Sequence, residues 1–144
     1  MFYVQRLRIL FSVLLIALPL SAQEGDLTDA DRAAIRTVIA RQLEALHQDD
    51  AVGAFALASP EIQAKFGTPE RFMTMVQTSY QPVYRPRQVV FRDLNTLAGQ
   101  PTQAVLLVGP DGVPIMAFYP MQQQPDGTWK IAGCYLVPFK DEKL

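Results

Sequence analysis

From Thr28 onward the apolar positions Ile35, Val38, Ile39, Leu43 and Leu46 recur at intervals of three and four, with Arg32, Arg36, Arg41 and Glu44 between them. One stripe is apolar and the other faces water, so the pattern predicts an amphipathic helix that needs a broad apolar partner. Thr28 or Asp29 is placed to cap it, and Asp31 meets the positive end of its dipole. Asp49 and Asp50 then open a second, short helix carrying Val52, Phe55 and Leu57. Ser59-Pro60-Glu61 and Thr68-Pro69-Glu70 repeat one start signal: a capping hydroxyl, proline at the first helical position and an acid at the dipole. They predict helices from Pro60 to Phe66, stopped by Gly67, and from Pro69 to Ser79.

Pro82 and Pro86 push their preceding residues toward extended backbone, so Tyr80 to Arg87 reads as a crossover. Beyond it the pattern changes to runs of β-formers: Gln88 to Leu97, Thr102 to Val108, Val113 to Met121 and Thr128 to Val137. Turn residues separate them, predicting an antiparallel meander of four strands in an α+β domain. Pro114 and Pro120 require their strand to be bulged or partly unpaired, because proline donates nothing to a ladder. Trp129, Ile131, Tyr135 and Val137 alternate with Ala132, Cys134 and Leu136, and Ile115, Ala117 and Tyr119 with Met116 and Phe118. Both sheet faces are therefore apolar, and the second is expected to meet a helix flank, another subunit or a ligand.

Ahead of this domain, Arg6 and Arg8 precede an apolar run from Ile9 to Leu18, then Pro19 and the small pair Ser21 and Ala22. That order predicts a cleaved signal peptide, residues 1–22, and one exported domain, residues 23–144, periplasmic or secreted and free of the membrane after cleavage. Cleavage leaves 11 basic against 14 acidic residues, a formal charge of −3, which argues against nucleic-acid binding. Cys134 is the single cysteine, so no internal disulfide forms, and its expected role is that of a buried small apolar residue. His47 is the single histidine, a thin basis for a metal site. Neither a glycine-rich phosphate loop nor a serine-histidine-acid set is present, and no cofactor is expected.

Three stretches carry a resemblance: Ile35 to Leu46 with Asp49 and Asp50, Phe55 to Pro86, and Trp129 to Leu136. The most distinctive is FALASPEIQAKFGTPERFMTMVQTSYQPVYRP, where S-P-E, F-G-T-P-E-R-F and Y-x-P-V-Y-R-P follow in fixed order. In these the chain resembles the exported bacterial proteins grouped as domain-of-unknown-function family 4864. Its order of elements resembles the nuclear transport factor two-like, or cystatin-like, cone, in which a long helix packs into a curved sheet. The resemblance implies that fold and export, and it brings no activity with it.

Two groups of residues could carry function. Tyr80, Tyr84, Arg85 and Arg87, with Arg71 nearby, place phenols and guanidinium forks beside the proline-stiffened crossover. They could bind a carboxylate or phosphate, or instead lock the crossover to the sheet while the arginines pair with Glu61, Glu70 or Asp93. Asp93 stands among Val89, Val90, Phe91 and Leu94. If enclosed, it could act as a base, with Tyr80, Tyr84 or Tyr119 donating to an enolate; if exposed, it is a surface acid. The leading expectation is a noncatalytic binding or accessory module for a small acidic or amphipathic ligand or a protein partner, with the sheet as a homodimer surface. The alternative is a cofactor-independent lyase or isomerase using Asp93.

Overall fold

The computed structural model describes residues 26–140, so the expected signal peptide lies outside the described residues. Helix α1 spans Asp29–His47. Its cap is Thr28, whose hydroxyl accepts from the Asp31 N–H while the Asp31 carboxylate accepts from the Thr28 N–H, a reciprocal pair that satisfies two free donors. Ile35, Ile39, Leu43 and Leu46 are buried as the spacing predicts, and Gln42 is buried with them. Asp49 takes a left-handed turn at φ 57°, and Asp50 caps α2 (Ala51–Ala56). Val52 is turned outward at 66% exposure, so this short helix presents less of its apolar content than its sequence suggests. Helices α3 (Pro60–Phe66) and α4 (Pro69–Ser79) start on Ser59 and Thr68 as expected, and Gly67 ends α3 at φ 79°.

The crossover differs from the extended reading. Gln81–Tyr84 forms a single helical turn, α5, because proline is tolerated in a first turn, whose N–H groups need no partner within the helix. Tyr80 and Arg85, on either side, hold the non-helical backbone.

Among the described residues five strands follow where four were expected: β1 (Gln88–Leu97), β2 (Gln100–Val108), β3 (Pro114–Gln123), β4 (Trp129–Ile131) and β5 (Tyr135–Pro138). β1, β2 and β3 form an antiparallel meander, and β4 and β5 both pair with β3, so the predicted last strand is one run broken in the middle. Between the pairs Met121↔Ile131 and Phe118↔Tyr135, β3 has Tyr119 and Pro120 while the other chain has Ala132, Gly133 and Cys134. One side therefore carries an extra residue, opposite the proline that cannot donate. An extra residue also reverses the faces. Trp129 and Ile131 lie in the core with Tyr119 and Met121, whereas Tyr135 and Val137 are exposed, which corrects their placement on one common face. Pro114 opens β3, where its missing N–H matters least.

The helices cover one sheet face. Ile35, Ile39 and Leu43 pack with Val105, Leu107, Ala117 and Tyr119 in a continuous core. The Trp129 indole N–H donates to Asp31 at 3.3 Å, tying the start of α1 to β4. Ser59 N–H donates to Ile131 O at 2.8 Å and Ile131 N–H to Leu57 O at 2.9 Å, so the α2–α3 link covers the free edge of β4.

Candidate functional site

The break between β4 and β5 leaves a cavity of about 220 Å³ beneath the helices. Gln42 and Leu46 of α1 form part of its wall; Ile62 and Phe66 of α3, Phe72, Met75 and Val76 of α4, and the broken segment Ala132–Cys134 close the rest. These helices reach the cavity because each carries a short apolar stripe that must turn away from water. Phe72 holds the aromatic wall, with Phe55 and Phe66 at ring-centroid distances of 5.7 and 5.8 Å. The charged lining residue is Lys65, exposed at the rim, with its ammonium 5.5 Å from the Phe66 ring centroid.

Tyr80 also lines this cavity, and its hydroxyl donates to Cys134 O at 3.0 Å, holding the broken segment in place. Cys134 is half-buried as a residue, but its thiol is enclosed, and burial pushes it up to about 12. Such a thiol stays protonated and unreactive near neutral pH, in keeping with a small apolar filler. Behind it the fully buried Tyr119 hydroxyl completes no well-formed hydrogen bond among the described residues; the Cys134 thiol is its polar neighbour, a weak and poorly directed partner. Burial and that neighbour hold the Tyr119 phenol well above its ordinary range.

The four residues expected to form one site are divided. Tyr80 faces the cavity, while Tyr84 and Arg85 turn to the end of α1. The Tyr84 hydroxyl donates to Asp49 Oδ1, Arg85 Nη2 donates to Asp49 Oδ2 at 2.9 Å, and Arg85 Nη1 donates to His47 O. The guanidinium also lies over the Tyr84 ring, 4.5 Å from its centroid. Asp49 is held below the usual carboxylate range, first by the Tyr84 hydroxyl and then by Arg85. Thus the partner of Arg85 is Asp49, not Glu61, Glu70 or Asp93. Arg87 is exposed just ahead of β1, where its backbone N–H donates to Val108 O at 2.7 Å.

Asp93 is exposed, in a bulge where β1 slips between Phe91 and Leu94. It borders a shallow groove with Arg32, Arg36 and Arg92 and takes no part in the cavity under α4. The enclosure on which its role as a base depends is not provided there.

Gln42 is a member of the site that sequence reasoning missed. Its signal was a lone amide on the apolar stripe of α1, between Ile39 and Leu46. Among the described residues no helix is long and apolar enough to cross a membrane. No curated protein matches the chain in sequence. Residues 28–144 match the family model described as a domain of unknown function, DUF4864, and the chain belongs to that family.

Proposed function

We propose that the domain is a noncatalytic binding module that takes a small amphipathic ligand into the cavity beneath α4, with its acidic end at Lys65. One observation carries the reading: an apolar cavity of about 220 Å³ whose single charged lining residue is a cation at the rim. That volume is about the space of seven liquid waters, which suits a small organic acid better than a lipid or a peptide. Tyr80 stays in this site as a wall and as the tether of Ala132–Cys134. Tyr84 and Arg85 support it from behind by fixing the turn at Asp49, and Arg87 stands apart. An enzyme built on Asp93 is disfavoured by the exposure of that carboxylate. Export through residues 1–22 accords with this reading, and amino-terminal sequencing of the mature protein tests it.

The test is an NMR titration of the mature protein with phenylacetate. Shifts confined to Ile62, Val76 and Ala132–Cys134, abolished in Ala132→Leu and weakened in Lys65→Glu, are expected. A folded wild-type protein whose amides near the cavity do not move would sink the proposal.

A second reading concerns the outer sheet face. The rows Val90–Leu106–Met116–Val137 and Ala104–Phe118–Tyr135 run across the strands in register. Phe118 and Tyr135 stack at 5.3 Å between ring centroids, and Tyr135 and Val137 are 46% and 41% exposed. An apolar face of this kind supports pairing with a second copy of the chain. Sedimentation of wild type against Met116→Lys tests it, and a wild-type monomer at high concentration would end it.

A further inference from the structure

Gln42 is 4% exposed and lines the cavity from α1, in a position where leucine or methionine would fill the same space without a polar atom. Its Nε2 donates to Ala54 O at 3.1 Å. That bond fixes the amide, because the opposite orientation would set two oxygens against each other. Ala54 O already accepts from the Leu57 N–H at 3.3 Å, so capping α2 does not by itself require the amide. The other amide atom, Oε1, accepts from no group of the described residues, and it is not sealed from solvent, so water reaches it. A ligand that displaces this water without supplying a donor leaves the acceptor unpaired at a cost in free energy, and one that donates to it avoids that cost.

Resting on the binding reading above, we infer that Gln42 selects a ligand whose buried end carries a hydroxyl, so that the cavity takes a hydroxylated aromatic acid. The ligand's hydroxyl donates to Gln42 Oε1, and its ring lies among Phe66, Phe72 and Tyr80, where edges and faces of the side-chain rings surround it. Its carboxylate is left at the rim with Lys65. A carboxylate at the inner end would instead set anionic oxygens against Oε1, with no cation among the enclosing residues to offset it. A ligand without the hydroxyl would fill the space and leave the amide oxygen unpaired.

The experiment is a calorimetric comparison of para-hydroxyphenylacetate with phenylacetate on the mature wild-type protein, on Gln42→Met and on Lys65→Glu. The hydroxylated acid is expected to bind the wild type about tenfold more tightly, the fold-change of one hydrogen bond kept rather than lost at an acceptor in the cavity wall. In Gln42→Met the two acids should bind alike. Equal affinities in the wild type would overturn the assignment to Gln42 while leaving the binding reading intact. Failure of both acids to bind would overturn the binding reading and this inference with it. Should Gln42→Met not fold, the wild type decides alone: transfer between ligand ring protons and the Gln42 side-chain amide supports the inference, and contact at Lys65 without it refutes it.

Discussion

The sheet carries an extra residue in two places, and the two are treated differently. In β1, Arg92 and Asp93 stand opposite Ala104 alone, between the pairs Phe91↔Val105 and Leu94↔Gln103. In the last run, Ala132, Gly133 and Cys134 stand opposite Tyr119 and Pro120. The first irregularity is repaired from within the sheet: Gln103 Nε2 donates to Arg92 O at 2.8 Å and to Ala104 O at 2.9 Å, and the surplus residue, Asp93, is left in solvent. The second draws on a group from outside it: the Tyr80 hydroxyl donates to Cys134 O, while the Ala132 N–H keeps a bond to Pro120 O at 2.8 Å within the sheet. Its surplus backbone lies under the helices, so the space it opens is walled by α1, α3 and α4 and open at the rim by Lys65. A bulge toward water thus changes a strand's outline, while the same bulge over the interior makes a cavity.

Perturbing each repair sharpens the contrast. Gln103→Leu removes two bonds from a side chain that is 1% exposed and leaves two carbonyl groups short of a donor. It should cost about 2 kcal/mol in urea unfolding while leaving cavity binding unchanged. Gly133→Ala should cost less, about 1 kcal/mol, because the new Cβ would meet Pro120 Cγ at 3.2 Å and the stiff ring must give way. Unlike the first, this variant should also weaken any cavity ligand, and equal binding in both variants would break the comparison.

The Cys134 thiol gives the broken run a pH dependence of its own. Its ordinary value of 9.0 is pushed up to about 12, so between these limits the unfolded chain loses a proton that the folded chain keeps. Stability should therefore fall as pH rises through that window, and Tyr119 adds in the same direction. Iodoacetamide at pH about 8 should label the urea-unfolded chain readily and the folded chain slowly. Asp49 behaves oppositely: its depressed value stabilises the fold above the ordinary carboxylate value of 3.8, and that contribution is lost as pH falls through and below it. The smallest effect belongs to Tyr119→Phe. Deleting a buried hydroxyl that lacks a well-formed partner should leave stability within about 0.5 kcal/mol of wild type, and a loss above about 2 kcal/mol would mean that the phenol is properly bonded after all.

The amino-acid order by itself determined the α+β class, the bounds of α3 and α4, the full length of β1 and the weak pairing at Pro120. Each follows from local chemistry: a capping hydroxyl with proline after it, a left-handed glycine, alternating β-formers, a missing N–H. The first hairpin was harder to place. Leu97 pairs with Gln100 across Ala98 and Gly99, both at positive φ, a turn that normally announces itself with asparagine or aspartate before the glycine. Tertiary structure alone decided which side chains share a site. Tyr84 and Arg85 meet Asp49 from 35 and 36 residues away, and Tyr80 meets Cys134 from 54. It also decided that one extra residue turns Tyr135 outward while Ile131 stays in the core, and that Gln42 stands beside a cavity. Periodicity assigns a face to each residue only within an unbroken element, and a break between elements resets it.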